Sequence, residues 1–274
     1  MNWGRHYLMC PPDHFDVLYA INPWMDMDNP VDRDLAKAQW QAVKHAIKTA
    51  GARVDVLPAQ PGLPDMVFTA NHGVAKDGVF VPSRLRYEER RAESDHSTDW
   101  MSRHGFTILR AGTGTAHEGS GDCLPWDGDF IAGYGQRSDL ASWEDWEDRT
   151  GWTIHKIRLV DKRFYHIDLV LCPLDGERAI IAPTGVAADD LPRLLELVPE
   201  PLVLTPQEEV LFMMNSVVVG STIVMPACND RVREILTGWG FSVAVVNVSE
   251  FIKAGGAVRC LTMPLDIAAT DAAK

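Results

Sequence analysis

The side chains able to do covalent chemistry lie far apart in this 274-residue chain: Cys260 in AGGAVRCLTMPLD and His166 in YHIDLV. A thiolate is a nucleophile, and an imidazole can favour its formation or carry its proton. His166 and Asp168 are two residues apart, a spacing that puts both on one face of an extended strand. Glu118, in HEGSGDCL, is placed to hold the imidazole, with glycines beside it that permit close backbone approach. Carboxylates around a cysteine and a histidine suit a planar cation with several N–H donors, and guanidinium matches a carboxylate two bonds at a time.

Other chemistry-bearing residues read as ordinary structure. Cys123 and Cys172 sit in apolar runs and read as core, while Cys10 and Cys228 have no visible acid–base partner. The acids at 144, 145, 147 and 148 form a solvated helix face around Trp143 and Trp146. The acidic run Asp26 to Asp34 lacks the spacing of a calcium loop and reads as helix capping. GTGTAHEGSGD has no Lys-Ser/Thr ending, which rules out a phosphate loop. Five cysteines without a CxxC argue against a disulfide framework and a zinc site.

A net charge of −12 and a pI near 5.1 argue against nucleic acid or an anionic membrane as partner. No apolar run reaches membrane-span length, and MNWGRHYLMCPPDH lacks the apolar core of a signal peptide. The expected location is cytoplasmic.

The elements that must bring Cys260 to His166 show a repeat. Apolar runs turn at Asp77-Gly78, Asp127-Gly128, Asp175-Gly176 and Gly220-Ser221, each reading as a tight hairpin with φ > 0 positions. The hairpins recur at roughly 45–50 residues, the mark of a modular array. Between them helical runs end at Gly51, Gly105, Gly151 and Gly240, each followed by an extended segment; LPRLLELVPEPLVLTP uses prolines instead. The unit is strand, strand, helix, strand. Four whole units are expected between about residues 65 and 250. A fifth is split, its first strand in GAVRCLTMPL and the rest near the N-terminus. Each first strand carries polar residues that a buried strand would not otherwise hold: Asn71 with Asp65 before it, Glu118 and Asp122, His166 and Asp168, Asn215, and Cys260.

DMVFTAN, HEGSGD, YHIDL and GGAVRCLTMPL, in this order over nearly the whole chain, resemble the guanidine-modifying penteins. That superfamily includes arginine deiminases, dimethylarginine dimethylaminohydrolases, amidinotransferases and arginine dihydrolases. The resemblance implies an α/β fold, a five-bladed propeller of pseudo-fivefold ββαβ modules closed by the N- and C-terminal segments, as a single catalytic domain over 1–274. It implies a small cationic substrate, arginine or a methylated arginine, no metal or organic cofactor, and a chain able to form a homo-oligomer. Carried over by motif, Cys260 attacks the guanidinium carbon, His166 is the general acid/base and Glu118 orients it. Asp168 and Asn71 grip the guanidinium. Asp65, Asn22, Phe68 and Asp122 join the substrate-binding set, with Arg84 and Arg137 for the substrate's carboxylate.

Deiminases and dimethylargininases usually carry an acid where this chain has Asn71. FTAN, with Asn22 in YAINPWMD, is closer to the dihydrolase branch, which removes both guanidino nitrogens and gives ornithine, carbon dioxide and ammonia. An amide can meet both a cationic guanidine and a neutral urea. Dimethylarginine hydrolysis is the alternative; a deiminase, an amidinotransferase and a non-catalytic binding protein are the further ones.

Overall fold

The computed structural model describes residues 3–111 and 114–268. Turn chemistry sets its hairpins. Asp77 and Asp127 adopt φ of 51° and 43°, and the glycines after them 74° and 87°, giving two-residue turns with both central residues left-handed. Gly220 is left-handed at 60° and Ser221 is not, which fits a turn needing glycine only at its first central position. The expectation fails at Asp175-Gly176. There the hairpin pairs Pro173 with Ala179 across a longer loop, and the Asp175 carboxylate accepts from the Glu177 and Arg178 amides at 2.9 and 2.8 Å. The side chain does the turning, so no left-handed residue is needed.

Each hairpin continues through a helix to a third strand. The sets are β3 (Gly73–Lys76), β4 (Val79–Pro82), helix Glu93–Arg103 and β5 (Thr107–Ile108); β6 (Cys123–Trp126), β7 (Asp129–Tyr134), helix Leu140–Thr150 and β8 (Ile154–Arg158). Then come β9 (Leu171–Pro173), β10 (Arg178–Ile181), helix Leu191–Leu197 and β11 (Glu200–Val203); β12 (Val217–Val219), β13 (Thr222–Met225), helix Asp230–Gly238 and β14 (Ser242–Val245). The split set is β1 (His6–Met9), helix Arg33–Thr49 and β2 (Arg53–Val56), completed by β15 (Met263–Pro264). All five form three-stranded sheets with the middle strand antiparallel to one neighbour and parallel to the other. Gly51, Gly105, Gly151 and Gly240 lie at φ between 70° and 103° after their helices, as expected. Helix Leu191–Leu197 stops at Val198, which precedes a proline and is extended. Asp32 caps helix Arg33–Thr49, accepting from the Asp34 and Leu35 amides.

The first strand of every module is buried along its whole length. Helices cover the outside: Trp143 and Trp146 are fully buried, stacked edge to face at 5.1 Å, each worth about 3–5 kcal/mol against alanine. Adjacent modules are joined at each seam. Lys76 bridges Ile267, Arg84 bridges His117 and Leu159 bridges Val186. The Cys172 thiol points at the Ser216 carbonyl, and the Arg259 amide donates to the Asn215 carbonyl. Among the described residues no helix is long and apolar enough to cross a membrane.

The polar residues expected in the first strands lie just before them. Thr69–His72 and Ile167–Leu169 are single 3-10 turns, Gly119–Asp122 is one helical turn, and Cys260 is in the turn preceding β15. His166 and Asp168 thus share a turn, not a strand face.

Candidate active site

Asn215 builds the seat of Cys260. Its Oδ1 accepts from the amides of Ala257, Arg259 and Cys260 at 3.2, 3.0 and 3.2 Å, and its Nδ2 donates to Cys260 Sγ at 3.2 Å. The thiol donates to Asp168 Oδ2 at 3.4 Å. Burial, and then the neighbouring Asp168, push the Cys260 thiol well above its ordinary range. Burial also pushes the Asp168 carboxyl up to about 7, against the pull of Arg259. Asp168 Oδ1 is buried with no hydrogen-bond partner among the described residues.

His166 Nε2 faces Glu118 Oε2 at 2.7 Å. That carboxylate accepts from Arg137 Nη1 at 3.0 Å and from the Arg86 amide at 3.1 Å. Burial opposes the charge on Glu118, but Arg137 and His166 more than offset it and hold the carboxyl below the usual range. Burial pushes His166 down to about 4 despite Glu118. With Nε2 on Glu118, the ring nitrogen of His166 turned to Gly121 is Nδ1.

Asn71 meets that nitrogen at Gly121. A Cβ on Gly121 would fall 2.2 Å from Asn71 Nδ2 and 3.3 Å from His166 Nδ1, so glycine lets the two groups converge. The amide's orientation is fixed. Its Oδ1 accepts from Arg90 Nη1 at 3.1 Å, and a guanidinium can only donate. Nδ2 is therefore the atom turned to Gly121 and His166, a buried donor without a partner among the described residues. Arg90 is itself clamped by both oxygens of Glu93, at 2.9 and 2.8 Å, with Asp65 at 3.7 Å. Asp65 accepts from Tyr19 at 2.9 Å, and burial raises its carboxyl to about 6 against Arg90.

The fold thus gathers Cys260, His166, Glu118, Asp168, Asn71, Asp65 and Arg137. The guanidinium of Arg137 lies between the rings of Tyr87 and Tyr165, with Nη1 on Glu118 and Nη2 on the Ile21 carbonyl. Four expected binding residues sit otherwise. Asp122 is spent within the protein: Oδ2 accepts from Ser138 at 2.6 Å and Oδ1 from the Ile167 amide at 2.9 Å, and Ser138 Oγ accepts from the Glu118 amide. It ties the Glu118 turn to the His166 turn. Asn22 fastens its segment to the Ala254 carbonyl at 3.0 Å, beside the left-handed Gly255. The Phe68 ring is core, edge-on to Phe15 and Phe251 and pressed against Gly256. Arg84 is exposed and lines a different cavity. Arg90, Glu93 and Asn215 complete the site. Only Asn215 carried a sequence signal, as one polar residue per module; Arg90 and Glu93 are hidden in the charged run EERRAES.

A sequence model of the dimethylarginine dimethylhydrolase family, described as N,N dimethylarginine dimethylhydrolase, eukaryotic, matches residues 20–267. The chain belongs to this family. A dimethylarginine dimethylaminohydrolase of Mycobacterium tuberculosis is 36% identical, over 95% of this chain and 86% of its own. The bifunctional arginine dihydrolase/ornithine cyclodeaminase AgrE of a Nostoc species is 38% identical over 94% of this chain. This family member spans about 37% of the length of that bifunctional relative. In solved structures, the N-terminal domain of the cyanobacterial arginine dihydrolase ArgZ, bound to product, superimposes with a TM-score of 0.92. It is 35% identical and covers 96% of this chain and 98% of that domain. A cysteine-to-serine mutant of the same domain, bound to substrate, also matches at a TM-score of 0.92, with 34% identity and the same two coverages. These matches agree with the pentein superfamily and its α/β fold. Among the described residues no group of three or more His, Cys, Asp or Glu could hold a metal.

Proposed function

We propose that this dimethylarginine dimethylhydrolase family member is a hydrolase that removes both terminal nitrogens from the guanidino group of L-arginine, giving ornithine, carbon dioxide and ammonia. The observation that carries the reading is the fixed amide of Asn71. A guanidinium has only N–H donors and gains nothing from another donor. The urea formed when one nitrogen is replaced by oxygen has an acceptor there, which Asn71 Nδ2 can meet. Asp168 Oδ1, a buried acceptor without a partner, suits the N–H groups that guanidine and urea share.

In this reading the substrate's positive charge enters beside Asp168 and draws the Cys260 proton off to His166 Nδ1. The thiolate adds to the guanidinium carbon. His166 returns the proton to a terminal nitrogen, and ammonia leaves an S-alkylthiouronium on Cys260. His166 then takes a proton from water; the hydroxide adds, the carbon–sulfur bond breaks, and citrulline forms. A second cycle on the ureido carbon expels the other ammonia, and hydrolysis leaves a carbamate on ornithine that loses carbon dioxide. Arg137 has further N–H groups beyond its two bonds to the protein and is the candidate anchor for the substrate's carboxylate.

The test is product identification with arginine, dimethylarginine and citrulline supplied separately. Ornithine with about two ammonia per arginine supports the reading, since two C–N bonds are cut in turn at one nucleophile. An end at citrulline refutes it. Dimethylarginine hydrolysis to citrulline and a methylamine is the second reading, favoured by the match over most of the length of the mycobacterial enzyme; methylamine release from dimethylarginine with no turnover of arginine would select it.

We further infer that the five modules close into a propeller, forming one domain over 1–274 that works in the cytoplasm. The support for closure is that a bridge or hydrogen bond crosses every seam, including the one between Asn215 and the Cys260 turn.

A further inference from the structure

A cavity of about 370 Å³ is lined by the pairing that immediately precedes Glu118, and neither Cys260 nor His166 is among its lining residues. One wall is the antiparallel bridge between Arg84 and His117, whose amides and carbonyls exchange bonds at 3.1 and 3.0 Å. Around it stand the guanidinium groups of Arg84, Arg91 and Arg110, with Asp95 as the one acid of the lining. The chain is strongly acidic, and most of its other arginines are paired with carboxylates. These three form no ion pair among the described residues; Arg91 only reaches the Arg86 carbonyl, at 3.3 Å.

The same lining holds polar side chains short of hydrogen-bond partners among the described residues. Among the described residues, Ser83 Oγ and Ser94 Oγ are buried without a partner. His117 is fully buried; the Ala111 backbone lies within reach of its ring, and no other partner is found among the described residues. Native folds rarely keep several such groups in one place unless something else satisfies them. Burial pushes His117 down to about 4, against the pull of the Ala111 backbone, so near neutrality its ring adds no charge to the cavity. The lining therefore combines excess positive charge with donors from two hydroxyls and three arginine side chains.

We propose that this cavity is a second ligand site, separate from Cys260, that binds the phosphate group of a small phosphorylated molecule. A tetrahedral oxyanion has acceptors in enough directions to meet donors from every wall, whereas a planar carboxylate does not. The volume leaves room beyond the phosphate for the body of a small molecule.

The experiment is calorimetric titration of the whole chain with inorganic phosphate, repeated with acetate and citrate, and repeated on Arg110→Gln, Ser94→Ala and Cys260→Ser. Phosphate binding that weakens about tenfold in each of the first two variants, through loss of one charge-assisted bond or one hydroxyl, supports the site. Unchanged phosphate affinity in Cys260→Ser supports its separation from the nucleophile. Arginine turnover in Arg110→Gln and Ser94→Ala stays at the wild-type rate, since neither side chain touches the Cys260 network, and this shows that both variants are folded. No binding at tens of millimolar phosphate, equal binding in both cavity variants, or tighter binding of citrate than of phosphate overturns the proposal.

Discussion

Changing Asn71 to Asp should separate the two hydrolytic steps. In the wild-type protein Arg90, held by Glu93, fixes the amide so that a donor faces Gly121 and His166. Asn71→Asp puts an oxygen there at nearly constant shape. The acid pairs with a cationic guanidinium but has no proton to offer a ureido oxygen. A hydrogen bond involving a charged group contributes about 1.5–3 kcal/mol, so the first step is favoured over the second by roughly tenfold to a hundredfold. The assay is a chromatographic time course of citrulline and ornithine from arginine. The variant should accumulate citrulline that the wild type does not, and supplied citrulline should be turned over at least tenfold more slowly than by the wild type. An unchanged product ratio, with activity retained, would refute the link between the amide's orientation and the second hydrolysis.

Further outcomes follow from the same network. Cys260→Ser should abolish turnover, with a melting temperature close to wild type because the change is small; comparable activity in a clean preparation rules out the covalent route. Asn215→Ala leaves three buried backbone N–H groups without their acceptor and should cost about 3 kcal/mol or more, read by urea denaturation, with arginine turnover falling as the Cys260 turn loosens. Asp168→Asn tests the buried carboxyl, whose folded value near 7 lies above its ordinary 3.8. A raised carboxyl contributes stability below about pH 4 and loses it as pH rises through 7. The variant should therefore gain on the wild type as pH climbs from 4 to 7, by at most roughly 4 kcal/mol, then level off; a stability difference that is flat with pH contradicts the burial argument.

What the sequence discloses depends on how local the signal is. The left-handed glycines after four helices and two of the Asp-Gly turns are local backbone requirements, and they are met. Asp175-Gly176 shows the limit, because an aspartate side chain can replace a left-handed residue and the dipeptide looks the same. Asn71, His166 and Cys260 read as strand residues and lie instead in the turns just before the strands. A one-turn segment is too short to carry a helical period, so the residues merge with the apolar run that follows. Arg90 and Glu93 were invisible for a different reason. EERRAES has the look of a solvated face, and only the tertiary fold buries one arginine and one glutamate of it against Asn71. Arg84, which the family resemblance offers for the substrate's carboxylate, is exposed and lines a different cavity, a placement that only the tertiary fold discloses.

The pairing of Tyr7 with Pro264 and of Leu8 with Met263 has a consequence for assembly. The strand it completes follows directly on the turn that holds Cys260, so that turn is fixed only when contacts between the two ends of the described chain have formed. Closing so long a loop costs little more than closing a moderate one, because the penalty grows with the logarithm of length, but contacts of this separation form slowly. A polypeptide with four sheets in place and this one still open has much of its mass ordered and no reactive centre. Onset of arginine-protectable labelling at Cys260 during refolding should thus lag behind recovery of helical signal, making that thiol a reporter of completed folding.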